Sequence, residues 1–171
     1  MNLKKIIANI EDTPLTTNDL LKINYKVKVN TIYYSDIYKY KSIDNLFQKN
    51  EAIIILIDRK DNSIGHFVCL LKKNNTIEFF DPYGKSLEEI IYIMNINDNS
   101  LLKLLFKSDY EIIYNKYKYE STAPKIESCG IQCASRIFHF NLSNKEYYEF
   151  LKYKNLKPDE IVALLFYVSL N

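Results

Sequence analysis

An α+β domain is the fold class this sequence predicts, on three observations. A continuous apolar run, Ala52-Ile53-Ile54-Ile55-Leu56-Ile57, precedes two strand-like segments joined by a polar Lys-Lys-Asn-Asn stretch. Segments of helical period flank these strands on both sides. The 171 residues, 47% of them hydrophobic and 14% aromatic, suffice for one substantial core, and no repeat, low-complexity tract or linker divides the chain, so residues 1–171 are expected to form one domain.

Taken in order, Leu15-Thr16-Thr17-Asn18-Asp19-Leu20-Leu21 carries capping residues ahead of apolar ones and predicts a helix start. Ser35 to Asn50 is a second amphipathic segment, and together they form a helical flank leading into the buried strand 52–57. Ile64 to Leu71 and Thr76 to Phe80 are rich in β-branched and aromatic residues and predict a hairpin, with Asn74-Asn75 tolerating the positive φ of a two-residue turn. Leu87 to Met94 and Leu101 to Phe106 predict helices, and Glu111 to Tyr114 a strand. A helix starts at or next to Cys129, because Gly130 to Phe138 has apolar residues at helical spacing and Lys125 to Ser128 does not. Pro158 to Val168, with a proline and two acids in its first turn, predicts a closing helix.

The residues that carry chemistry are Gly65-His66-Phe67, then Phe80-Asp81-Pro82-Tyr83-Gly84, then Ser128-Cys129-Gly130 opening a helix. Their order, His, Asp, Cys, is that of a cysteine protease. A thiol with a pKa of about 8.5 is only a few per cent thiolate near neutrality, so a cysteine nucleophile needs an imidazole, a helix N-terminus or both to stabilise the anion. At the start of a helix Cys129 has the N–H groups for it. The hairpin register supplies the rest: with Lys73 opposite Thr76, Val68 stands opposite Asp81, and His66 lies on the same face one diagonal step away. A slip of one residue would separate the two side chains.

From about residue 50 to 140 the chain resembles the adenovirus-type maturation proteases, whose relatives include proteases of virophages and large DNA transposons and, more distantly, proteases that remove ubiquitin-like modifiers. The resembling segments are Gly65-His66-Phe67, Phe79-Phe80-Asp81-Pro82-Tyr83-Gly84-Lys85-Ser86, and Cys129-Gly130-Ile131-Gln132-Cys133 with Phe138-His139-Phe140 closing the same helix. The resemblance implies a central, mostly antiparallel sheet packed against helices, with the nucleophile at the N-terminus of a buried helix. It also implies roles: Cys129 as nucleophile, His66 as base and then acid, Asp81 as the group that holds the imidazole, and Phe67 as a lid where relatives carry tryptophan. One departure stands out. Relatives place a glutamine shortly before the nucleophile as an oxyanion donor, whereas no glutamine occurs here between Gln48 and Gln132. The backbone N–H of Cys129 is then the main donor, with Thr122 or Ser121 as candidate hydroxyls; losing one such donor typically costs about 100- to 1000-fold in rate.

Cys69 in mid-strand, Cys133 one turn beyond Cys129, and His139 at the helix end are expected to be structural. No second ligand pair accompanies Cys129 and Cys133, so no metal is expected, and no cofactor is required; the resemblance leaves a peptide or DNA activator open. Three cysteines without compact spacing fit a reducing compartment. The N-terminal apolar run is too short for a secretory signal and no stretch reaches membrane-spanning length. Intermingled Lys and Tyr, as in Tyr114-Asn115-Lys116-Tyr117-Lys118-Tyr119, suit base stacking and phosphate neutralisation, yet a formal charge of +2 favours half-buried strands with snorkelling lysines. Weak DNA binding is therefore implied by the resemblance alone. The scarcity of Gly, Pro and Trp beside abundant Lys, Ile, Asn and Tyr suits an AT-rich genome, as in many large DNA viruses and their parasites. The expected function is cleavage of viral capsid or other virion precursors during maturation, inside the infected host at the assembly site and with the enzyme packaged in the particle. A protease for ubiquitin or ubiquitin-like modifiers is the first alternative, and a non-catalytic module of the same fold the second.

Overall fold

The computed structural model describes residues 3–11, 15–58, 65–119, 128–152 and 156–169. Helices α1 (Leu3–Glu11) and α2 (Thr17–Leu21) precede strand β1 (Val29–Tyr33), a 3-10 turn (Tyr34–Lys39) and α3 (Ile43–Phe47). The central strands follow: β2 (Ala52–Ile57), β3 (His66–Lys73) and β4 (Thr76–Phe80). Then come α4 (Leu87–Ile93), α5 (Ser100–Phe106), β5 (Glu111–Tyr114), α6 (Cys129–Phe138), α7 (Asn144–Phe150) and α8 (Pro158–Ser169).

The sheet has the order β1-β2-β3-β4-β5. β2, β3 and β4 pair antiparallel as expected, but β1 joins β2 and β5 joins β4 in parallel, so the sheet is evenly mixed, not mostly antiparallel. Both edge strands return through helical connections, and such crossovers bring strands back in the same direction. The sheet is covered on both faces, which explains why β2 is an unbroken apolar run and not an alternating one. One face carries Ile53, Ile55, Val68, Leu70, Ile77 and Phe79 against α3, α4 and α5. The other carries Ala52, Ile54, Phe67, Cys69, Leu71 and Phe80 against α6, with α2, α7 and α8 around it. α6 is buried along nearly its whole length, as the family resemblance implied.

Local signals set most boundaries. Thr16 caps α2 in a capping box with Asp19, and Ser86 caps α4 in another with Glu89. The hairpin turns at Asn74, whose φ of 48° is in the left-handed region that asparagine tolerates. The segment from Ser35 to Asn50 is not one helix: Ser42 accepts from the Asn45 N–H and starts α3 afresh after the 3-10 turn. Strand β3 is described from His66, so the predicted start at Ile64 lies outside the described residues. α1, β1 and α7 were not anticipated.

Candidate active site

The hairpin register is the predicted one, with Lys73 opposite Thr76 and Cys69 opposite Phe80, the last pair of the ladder. Asp81 is the next residue, where the chain leaves β4. Asp81-Pro82-Tyr83-Gly84 forms a tight turn in which the Gly84 N–H donates to the Asp81 carbonyl at 2.9 Å. Asp first, Pro second and Gly fourth is the residue order a type I turn favours. Gly84 has φ of +71°, and a Cβ there would stand 2.7 Å from the Tyr117 carbonyl oxygen, so both conformation and space require glycine.

The turn aims the Asp81 carboxylate back at the start of β3. His66 Nε2–H donates to Asp81 Oδ1 at 2.5 Å, and the Lys85 backbone N–H donates to Oδ2 at 2.8 Å. Asp81 is fully buried and His66 is 8% exposed. With Nε2 committed to the carboxylate, Nδ1 is the ring nitrogen left for proton transfer. Tyr83 stacks on the imidazole with centroids 5.2 Å apart and planes 27° from parallel. Phe67, the expected lid, points to the other face of the sheet because successive strand residues alternate; it is buried against the first turn of α6. The ring lying on the histidine is therefore Tyr83, which follows from the turn and was not assigned a role from sequence.

Cys129 is the first residue of α6, as expected, and is 8% exposed, whereas Cys69 and Cys133 are fully buried. A Cβ on Gly130 would sit 3.3 Å from the Phe67 ring, so the absence of a side chain at Gly130 lets the helix start close against Phe67 of β3, the residue after His66. Ser128, before the helix, supplies no side-chain cap; its hydroxyl instead donates to Asp159 Oδ1 at 3.3 Å. Gln132 donates to the same Asp159 oxygen at 2.9 Å and to the Tyr119 carbonyl at 3.2 Å. The buried carboxylate of α8 thereby ties down the first turn of the nucleophile helix. The acids at the start of α8 were visible in the sequence, but their inward direction was not.

The other cysteines have the structural character expected. Burial, then hydrogen bonding to Cys69, pushes the Cys133 thiol well above its ordinary range, which suppresses thiolate and reactivity. His139 donates from Nδ1 to the Ser135 carbonyl at 2.9 Å and packs on Phe150. Among the described residues no cluster of three His, Cys, Asp or Glu side chains could hold a metal, and no helix is long and apolar enough to cross a membrane. Ser121 and Thr122, the candidate oxyanion hydroxyls, lie outside the described residues.

The solved structures that overlay on the chain include ChlaDub1 from Chlamydia trachomatis, at 13% identity over 98% of this chain and 77% of that one with a TM-score of 0.43. They also include the SUMO protease Ulp1, at 14% identity over 97% and 77% of the two chains with a TM-score of 0.37. No protein-family model matches the sequence. The uncharacterized protein V9 of Sputnik virophage is 31% identical over 177 aligned positions, spanning 94% of this chain and 98% of V9. Likeness of that degree along nearly the whole of both chains makes this protein a member of the family of the Sputnik virophage protein V9.

Proposed function

We propose that the protein is a cysteine peptidase with Cys129 as nucleophile, His66 as acid and base, and Asp81 as the group that orients the imidazole. The observation that carries the reading is the buried His66–Asp81 hydrogen bond at the sheet end against which the Cys129 end of α6 packs. A fully buried carboxylate fixes the tautomer with hydrogen on Nε2 and stabilises the imidazolium, leaving Nδ1 to take the thiol proton. The thiolate then attacks the scissile carbonyl carbon while the Cys129 N–H, at the positive end of α6, holds the oxyanion. His66 Nδ1–H passes its proton to the leaving amine as the C–N bond breaks, forming a thioester. Water attacks that ester, Nδ1 takes a proton from it, and release of the acid regenerates the thiol. Phe67, placed beside the first turn of α6, lines the channel to the sulfur, and Ser121 or Thr122 adds an oxyanion donor. No cofactor enters this sequence of steps.

The substrates we propose are capsid or other virion precursors, cleaved during particle maturation inside the infected cell by enzyme packaged with them. Kinship with a virophage protein supports this choice, as does the adenovirus-type pattern of residues. A protease for ubiquitin-like modifiers would use the same three residues, so the test must report on substrate. Purified protein is incubated with the structural proteins encoded beside its gene, with and without DNA, and products are read by intact mass. Cleavage by wild type that disappears in Cys129→Ala and His66→Ala is expected. Intact virion proteins, together with labelling of Cys129 by an electrophilic ubiquitin-type probe, would reassign the substrate; silence in both assays would make the fold a binding module.

A further inference from the structure

Asn115 follows the last residue of β5, and its backbone N–H makes the final contact of that edge, to the Phe79 carbonyl at 3.4 Å. There the β4–β5 ladder ends, yet the neighbouring stretch still needs partners, because Phe80 and Asp81 are fully buried. The Asn115 side chain, itself only 2% exposed, takes the place of the missing strand. Its Oδ1 accepts from the Asp81 N–H at 2.8 Å and its Nδ2 donates to the Asp81 carbonyl at 2.7 Å. A carboxamide carries the same donor and acceptor as a peptide unit, so this closed pair extends the sheet by one step. The second hydrogen of Nδ2 goes to the Tyr117 carbonyl at 3.1 Å, the oxygen that abuts Gly84. One side chain thus fastens the start of the turn at Asp81 and also holds the carbonyl that lies close against its end at Gly84.

We propose that Asn115 is a positioning residue of the active site: by clamping both main-chain groups of Asp81 it fixes the carboxylate on His66 Nε2 and so sets the reactivity of Cys129. This rests on the peptidase reading above. Asp81 has a buried side chain with both oxygens engaged, so a shift of its backbone is transmitted to Oδ1 instead of being absorbed by a free rotor. A displacement of about 1 Å at such a site costs on the order of 100-fold in rate. Neither Ala nor Ser can replace the clamp, since Ala has no polar atom and a hydroxyl cannot bridge both groups.

The test needs no substrate. Alkylation of Cys129 by iodoacetamide is followed from pH 5 to 10 in wild type, Asn115→Ala, Asn115→Ser, Asp81→Ala and His66→Ala, with the labelled cysteine identified by peptide mass. Each rate is normalised to its own value at high pH, where the thiolate forms without help. Labelling of Cys69 and Cys133, fully buried in the fold, reports unfolded protein in the same experiment. Wild type is expected to react well below the ordinary thiol range, in a manner lost in His66→Ala. In Asn115→Ala the normalised rate at pH 6 should fall at least about tenfold toward that of Asp81→Ala, with Cys69 and Cys133 still protected. Should Asn115→Ala expose the buried thiols, Asn115→Ser is read in its place. A folded Asn115 variant with the wild-type profile, while His66→Ala loses it, overturns the positioning role alone. A wild-type profile that is already that of an ordinary thiol and unchanged in His66→Ala overturns the peptidase reading, and the role of Asn115 with it.

Discussion

Replacing Glu78 with alanine would strand a cation in the core beneath α6. Glu78 lies in β4 between Ile77 and Phe79, which face α3 to α5, so alternation turns it toward α6. There Arg136, fully buried, donates from Nε and Nη2 to the two carboxylate oxygens, both at 2.7 Å. Two further N–H groups donate to the His139 carbonyl from Nη1 and to the Leu142 carbonyl from Nη2, each at 2.8 Å, and the guanidinium lies 5.2 Å from the centre of the Tyr147 ring. The two carbonyls compensate dipoles but not charge. Removing one partner of a buried ion pair costs about 3–5 kcal/mol, a large fraction of the roughly 5–15 kcal/mol that holds a typical domain together. At about 2–4 °C per kcal/mol for a chain of this size, the melting temperature should fall on the order of 10 °C. Urea denaturation of Glu78→Leu, Arg136→Met and the Glu78→Leu/Arg136→Met pair, alongside Glu78→Ala, gives the cycle, in which the double variant recovers most of what Glu78→Leu loses. A loss below about 1 kcal/mol in Glu78→Ala would refute the reasoning, because it would mean that the stranded guanidinium reaches water.

Two further perturbations test the site's support. Gly84→Ala forces a Cβ onto the Tyr117 carbonyl at a φ of +71° and should cost at least about 1–2 kcal/mol in urea; an unchanged midpoint would remove the case for that close approach. Burial, ahead of the Arg136 and Lys26 charges and against its bond to the Ser135 carbonyl, holds the His139 imidazole below its ordinary 6.5. Above that value both folded and unfolded forms are neutral; as pH falls below it the unfolded chain binds the proton first, so stability declines. His139→Gln should therefore lose less stability between pH 7 and pH 5 than wild type, and equal losses would show that this group does not titrate between the two states.

Much of the site was legible because its residues sit on strongly patterned elements. The alternation in β3 and β4 and the tolerance of Asn74 for positive φ set the register that brings His66 to Asp81, and apolar spacing after Cys129 marked the start of α6. Pro82 and Gly84 announced a turn, and Thr16, Ser86 and Pro158 marked helix starts through local chemistry. These are short-range effects, decided by the backbone preferences of a few neighbouring residues.

Tertiary structure decided whatever depended on which distant group a polar side chain meets. Nothing local distinguishes Asn115 from the asparagines of exposed loops, nor Asp159 from Glu160 beside it. Asn115 becomes a clamp only because β5 lies parallel to β4 and ends two residues short of Asp81, and Asp159 becomes a tether only because α8 packs against α6. The parallel edges were hidden for the same reason: β1 and β5 are short and half-buried, and their direction is set by helical connections, not by their own residues. Local pattern along the chain sufficed for most of the α+β elements, for the hairpin register and for the three residues of the proposed chemistry, but not for α1, β1 or α7. Burial decided their support, since a polar group removed from water must find a partner wherever the packed chain supplies one.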